Sequence, residues 1–225
     1  MQTKILILAT PRSWGTIFQD NIRNDSTVPM LSFGQPYHKF VSNGDMPYTD
    51  FATGTHAITT FLDMLQLSFV CKIEPYQIYH VPSSQLLDLD RLNLRMYSKI
   101  YVLDRTNRKD RLASMLWAQH VQTWHYYKDQ TVEQPSPLAL EVEDWRLKNI
   151  AREHSVLEMF CKYLDNRTIM YERIYTETLA SQYSNANDAN SFAKTRPSNL
   201  NYSSIILNLD ELYTRFDKFY KSFLS

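Results

Sequence analysis

Residues 4–16 read KILILATPRSWGT, and this stretch decides the fold. Lys4–Ala9 is a short apolar run of isoleucine and leucine with no polar alternation. Such a run predicts a strand buried on both faces. Thr10-Pro11 ends it. A polar turn follows, Arg12-Ser13-Trp14-Gly15-Thr16, and Ile17–Ile22 reads as the start of a helix. A strand, a tight turn and a helix aim backbone N–H groups and the positive end of the helix dipole at one spot. Ser13 and Thr16 add hydroxyl donors there, and Arg12 adds a fixed charge. The loop reads as an anion site; the plainer reading is a turn whose Ser and Thr cap the helix. It lacks the GxxxxGK[ST] pattern of a Walker A loop, and no cysteine opens it as in a phosphatase.

Further along, residues 26–54 carry Pro29, Pro36, Pro47 and three of the four glycines, and read as loop. His56–Leu67 has apolar residues at helical spacing. Ser68–Ile73 (SFVCKI) and Lys99–Leu103 (KIYVL) predict a second and a third buried strand. Between them Pro75 and Pro82 bound a less regular stretch, and Leu86–Tyr97 reads as a helix. Arg108–Tyr127 and Asp144–Leu164 are long helical patterns, separated by Pro135 and Pro137. Thr168–Tyr171 (TIMY) reads as a fourth strand. Ser181–Asn201, rich in Ser and Asn, reads as a mobile loop, and Asp210–Leu224 as a closing amphipathic helix. Strands alternating with helices imply a mainly parallel sheet in an α/β layout. With no repeat and no linker, residues 1–225 read as one domain. Such sheets bind ligands beyond the carboxyl ends of their strands.

The residues after KIYVL are therefore a second place for chemistry. Arg105, Arg108, Lys109 and Arg111 fall within seven residues, and Ser114 lies further along the same helical pattern. Guanidinium holds phosphate with paired N–H donors, and a helix-borne hydroxyl can complete the cage. The alternative is a solvated basic helix start, which the helix dipole opposes. Two such loops suit a ligand with two separate anionic ends.

The 225 residues hold 24 Lys+Arg against 24 Asp+Glu, so the net charge is zero. That balance argues against nucleic acid as a partner. The apolar run Ile5–Ala9 is far below the roughly 20 residues of a membrane helix, and too short for a secretory leader. A cytoplasmic protein without a membrane partner is expected. Cys71 and Cys161 fit buried, reduced thiols. The six histidines show no metal spacing, so no metal is expected. Trp117 and His120, at i and i+3, read as packing. Only four glycines occur, where about 7% usage would give roughly sixteen. Gly15, Gly34, Gly44 and Gly54 should each sit where the backbone needs one.

The two loops, in wording and in order, resemble the sulfotransferases that use 3′-phosphoadenosine 5′-phosphosulfate (PAPS), above all the bacterial trehalose-type branch. In that family a strand followed by P-[RK]-S-G-[ST]-T cradles the phosphosulfate, and Pro11-Arg12-Ser13 with Thr16 is similar to it. A later strand ending in Arg, with Ser eight or nine residues on, binds the 3′-phosphate; Arg105 and Ser114 match. Phe69–Ile73 through Gln77 is similar to the branch's GxKxxxxQ strand, Gln122–His125 to its QTGxWH helix end, and Met170–Ile174 to its xYEDL strand end. The likeness covers roughly residues 4–180.

The resemblance implies a P-loop-like three-layer α/β fold, with a central mainly parallel sheet flanked by helices. It implies sulfuryl transfer from PAPS to a hydroxyl or amine of a small-molecule or carbohydrate acceptor. Pro11, Arg12, Ser13, Trp14, Gly15 and Thr16 would hold the phosphosulfate, and Arg105 and Ser114 the 3′-phosphate. Arg12 and Lys72 would act on the transferring group. Lys194 and Arg196 would fold over the nucleotide or else belong to an exposed loop. Tyr37, His38 and Trp124 would face the acceptor. The chain departs from the family at Trp14, which stands where a Gly is usual, and at Gly15, which stands for Ser or Thr. The branch's acidic base lies in a GxPExxF segment; Gly34–Phe40 has that frame without the carboxylate, leaving Tyr37 or His38 as base. Two other readings stay open. One is a small-molecule kinase, with Asp104 its candidate Mg²⁺ ligand. The other is a degenerate member that binds nucleotide or a protein partner without turnover. A homodimer is also open.

Overall fold

Strand β1 (Lys4–Ala9) is buried at all six residues. In the computed structural model, the described residues are 2–10, 15–34, 59–74, 79–80, 85–86, 89–122, 135–183 and 201–225. β1 sits at the centre of a five-stranded, all-parallel sheet. Its order is β2 (Leu31–Gly34), β3 (Phe69–Ile73), β1, β6 (Lys99–Asp104), β7 (Glu172–Tyr175). Two further short strands, β4 (Tyr79–His80) and β5 (Gln85–Leu86), pair antiparallel. The sheet and its flanking helices make a three-layer α/β fold, as the strand–helix alternation implies. The chain leaves β1 toward β2 and β3 on one side and reaches β7 beyond β6 on the other. The topological switch, where such sheets bind ligands, therefore lies at the carboxyl ends of β1 and β6.

The described residues cluster in two compact units. The first comprises Met1–Asp104 and Val156–Ile174. Alternation along its strands sends two sets of side chains to opposite faces. Leu6, Leu8, Phe69, Cys71, Ile73, Ile100 and Val102 share one buried cluster with Val156, Leu157, Phe160, Cys161 and Leu164. Those last five lie on the second half of a long helix, Asp144–Asn166. The other face meets helix α1 (Gly15–Asp25), where Phe18 packs edge-on to Tyr101 at 5.2 Å. Gln19, buried, donates to the carbonyls of Phe33 (2.9 Å) and Val70 (3.3 Å), so α1 also pins the edge strand β2. Lys4 donates to the carbonyls of Leu62 and Asp63, closing the end of a helical stretch at 59–64.

The second unit comprises Arg105–Ser155 and Tyr175–Ser225. It contains α2 (Arg108–His120), the first half of α3 (Asp144–Asn166), α4 (Thr176–Tyr183), α5 (Tyr202–Ile205) and α6 (Leu209–Leu224). Leu209, Leu212, Phe216 and Tyr220 form the buried stripe of α6, at helical spacing, against Leu112, Leu116, Leu147 and Ile150. Asn208 ties the start of α6 to Leu140, accepting from its N–H at 2.9 Å and donating to its carbonyl at 3.0 Å.

The structure corrects several sequence readings. TIMY is not the fourth strand; the strand is Glu172–Tyr175. Helix α3 runs on to Asn166 and closes with Ile169 N–H on the Leu164 carbonyl (2.9 Å) and Thr168 N–H on that of Asp165 (3.1 Å). This left-handed helix stop places Thr168 at φ 55° and uses up the first two of the residues read as strand. Within the stretch read as a helix, Leu86–Tyr97, Leu86 ends β5 and the described residues that follow form two short 3₁₀ turns, Leu89–Leu92 and Leu94–Met96, broken by Asn93 at φ 43°. Helix α2 stops at His120 rather than Tyr127, with Gln122 at φ 53°. Ser181–Tyr183 belongs to α4; the rest of the loop reading, 184–200, lies outside the described residues. β2 falls within the stretch read as loop.

Two outcomes follow from this packing. A β-branched residue at a left-handed helix stop carries a steric cost that glycine escapes, against glycine's greater chain entropy. Thr168→Gly should stabilise the protein by about 0.5–1 kcal/mol in chemical unfolding, and Thr168→Val should not. His154 is 1% exposed, packs edge-on to Phe216 at 5.1 Å, and has no hydrogen-bond partner on either ring nitrogen among the described residues. Burial, then the charges of Arg111 and Arg108, hold its pKa well below the ordinary value. The unfolded chain takes up a proton near pH 6.5 and the folded one does not. Its stability contribution is complete above about pH 6.5 and lost as pH falls, at up to ~1.4 kcal/mol per pH unit. Denaturant titrations from pH 7.5 to 5 should show this loss, diminished in His154→Leu.

Candidate functional site

The first unit brings Gly15, Thr16, Lys72 and Glu74 together at the carboxyl edge of its sheet. β3 lies beside β1 in parallel register, with Lys72 opposite Ile7 and Ile73 opposite Leu8. Cys71 and Ile73 face the apolar cluster, so alternation turns Lys72 to the α1 face. Glu74, two residues on, follows it. The Lys72 ammonium donates to Thr16 Oγ1 at 3.0 Å, in the first turn of α1. It also pairs with Glu74 Oε1 at 3.2 Å, and both side chains are about nine-tenths buried. A buried ammonium needs such partners.

Gly15 makes the approach feasible. A Cβ there would lie 2.7 Å from Ala9 Cβ and 2.9 Å from Lys72 Cδ. Only glycine lets the start of α1 settle on the end of β1 and on the lysine stem. The result is a fixed cation and a hydroxyl at a helix start, a donor set that suits a phosphate or sulfate oxygen.

In the second unit, Arg105 is buried and committed. Its Nη2 donates to Asp110 Oδ2 at 3.0 Å, and its Nε lies 4.0 Å from Glu177 Oε1. Thr106 N–H donates to Glu177 Oε2 at 3.3 Å. Asn107 caps α2 by accepting from Asp110 N–H at 3.0 Å. Ser114 is buried in α2, its hydroxyl 3.5 Å from that of Tyr202. A solvent-open cleft of about 410 Å³ is lined by Thr106, Asn107, Arg108 and Tyr213. The Arg108 guanidinium lies over the Tyr220 ring at 4.5 Å. A phosphate at Arg105 would compete with Asp110 and Glu177 for the guanidinium.

Asp104, which a metal-dependent kinase would need, is 2.5 Å from Arg173 Nη2, and the same nitrogen binds Glu158 Oε1 at 2.5 Å. This charge group anchors the end of β6 to the second half of α3. Burial pushes the Cys71 thiol up to about 12, against its hydrogen bond with Tyr97, which lowers it, so this buried thiol lacks the thiolate character of a nucleophile. Trp117 and His120 do pack, with ring centroids 5.5 Å apart.

Of the residues singled out by sequence, Gly15, Thr16 and Lys72 converge, and Arg105 and Ser114 hold the contacts above. Pro11, Arg12, Ser13, Trp14, Tyr37, His38, Trp124, Lys194 and Arg196 lie outside the described residues. Sequence reasoning missed Glu74. Its signal was available: in a strand, Lys72-x-Glu74 puts an ammonium and a carboxylate on one face.

Gly15→Ala should lower stability by about 1–2 kcal/mol, because the overpacking outweighs alanine's helix propensity. For a chain of this length that is a fall of several degrees in the unfolding midpoint by calorimetry. An unchanged midpoint would mean that α1 does not sit this close to Lys72. No protein-family model matches the chain, and no curated protein matches it.

Proposed function

We propose that this protein is a sulfotransferase, moving the sulfuryl group of PAPS to a hydroxyl or amine of a small-molecule or carbohydrate acceptor. The observation that carries this reading is the seating of the Lys72 ammonium on Thr16, beside Gly15, at the start of the helix that follows β1. The loop wording there is the one that resembles the family. In the reaction an acceptor oxygen or nitrogen attacks sulfur and forms the new bond to it. The bond from sulfur to the bridging oxygen of the 5′-phosphate breaks, and its electron pair stays on that phosphate. The acceptor proton leaves to a base, for which Tyr37 and His38 are the candidates. Charge builds on the bridging oxygen, and positioning with charge stabilisation does most of the work, as in phosphoryl transfer. Lys72 supplies a fixed positive charge for it, and Arg12 is assigned the same task. Arg105 and Ser114 are assigned the 3′-phosphate, and Lys194 and Arg196 cover of the nucleotide.

The kinase reading is weaker on one geometric ground. Asp104, its candidate carboxylate, is held by Arg173 rather than turned out to a cation.

The test is thermal unfolding with EDTA, with and without adenosine 3′,5′-bisphosphate. Ligand at 100 times its dissociation constant adds about 2.7 kcal/mol, a rise of roughly 5–10 °C for a chain of this size. The rise is expected in wild type and should be lost in Arg105→Ala, each read against its own baseline. No rise in wild type, or a rise only with ATP and Mg²⁺, would overturn the sulfotransferase reading.

A further inference from the structure

P-loop NTPases, which bind nucleotide phosphates at a strand–loop–helix start, hold Mg²⁺ between a Ser or Thr at that helix start and a carboxylate from another strand. Both parts are present in the first unit. Thr16 is the second residue of α1, and Glu74 directly follows β3, the strand hydrogen-bonded to β1. Between them stands Lys72 Nζ, 3.0 Å from Thr16 Oγ1 and 3.2 Å from Glu74 Oε1. We infer that the Lys72 ammonium is a built-in substitute for a divalent cation, and that Thr16 and Glu74 form a latent Mg²⁺ or Mn²⁺ site that the lysine fills. The inference rests on the reading of this helix start as a phosphate or sulfate site.

Three features carry it. The side chains of Lys72 and Glu74 are both about nine-tenths buried, so the charge is fixed in place rather than a surface ion pair. The lysine arrives from a neighbouring strand, and its stem passes against Gly15, where any side chain would block it. The oxygens it meets are of the kind that bind a hard cation: the hydroxyl of Thr16 and the carboxylate of Glu74. An ammonium is a compact cation with three donors. Seated here, it can meet an oxyanion with its remaining donor while Thr16 and Glu74 take the others. Mg²⁺ bonds are shorter, at about 2.1 Å, but the ion keeps several waters that bridge the difference.

The consequence is a trade: with the lysine the site needs no metal, and without it the site should accept one. The probe is Mn²⁺ alone, followed by the loss of its free electron-paramagnetic signal, so that no nucleotide or acceptor is needed. Wild type should leave Mn²⁺ free. Lys72→Ala and Lys72→Gln should bind it at least tenfold more tightly than wild type, and the double variant Lys72→Ala/Glu74→Gln should lose that gain. Where a single variant folds poorly because Glu74 is left without its ammonium, Mn²⁺ should raise its unfolding midpoint. Folded variants that ignore Mn²⁺, poorly folded ones that Mn²⁺ does not rescue, or a wild type that already binds Mn²⁺ through Glu74 would overturn the inference. A wild type that gives no bisphosphate shift would instead count against the sulfotransferase reading, and the Mn²⁺ result would stand apart from it.

Discussion

An ammonium group buried under the edge of a parallel sheet is costly unless it is paired, and Lys72 sets that constraint for the first unit. Charge taken out of water loses several kcal/mol of hydration, which only close partners return. Glu74 supplies the opposite charge from the same strand, and Thr16 an oxygen from α1. That pairing depends on two things. The register of β3 against β1 must turn Lys72 to the α1 face, and α1 must come close enough for Thr16 to be reached. Gly15 provides the closeness, and Gln19, one turn further along the same helix, holds it to β2 and β3. The polar contacts thus fix the helix start where a parallel sheet presents its ligand edge.

The second unit obeys the same rule with different residues. Arg105 is buried and finds Asp110 and Glu177. His154 is buried without a hydrogen-bond partner among the described residues and is kept neutral. The basic cluster 105–111 is therefore not a uniform solvated face. Arg105 and Arg111 turn inward, Arg108 stacks on Tyr220, and Lys109 pairs with Asp210.

Much of the fold was legible because β1, β3 and β6 are fully or largely apolar runs, and a buried parallel strand has no alternation to misread. The long helices were legible from period alone. The failures have local causes. TIMY is as apolar as a strand, but Schellman-type hydrogen bonding after α3 claims its first two residues, and Met170 is 88% exposed. LSFG is four residues at a sheet edge, too short to carry a pattern, and it hid in a stretch rich in Pro and Gly. The scarcity of glycine misled in the other direction: Asn93, Gln122 and Thr168 occupy left-handed positions where glycine would be the usual signal. Of the candidate site, Gly15, Thr16 and Lys72 could be read from spacing and resemblance. Glu74 was missed although its two-residue spacing from Lys72 was there to read, because a carboxylate after a strand is ordinary until the lysine beside it is seen to be buried.

The claim at the centre of this account is that the Lys72 ammonium is a fixed cation facing a nucleotide's anionic group. The most direct measurement is the ¹⁵N–¹H resonance of its side-chain ammonium, assigned by comparison with Lys72→Gln. In EDTA, the expected result is a signal protected from rapid exchange that moves when adenosine 3′,5′-bisphosphate is added. A freely exchanging ammonium, or one whose resonance stays fixed at saturating bisphosphate, would contradict it.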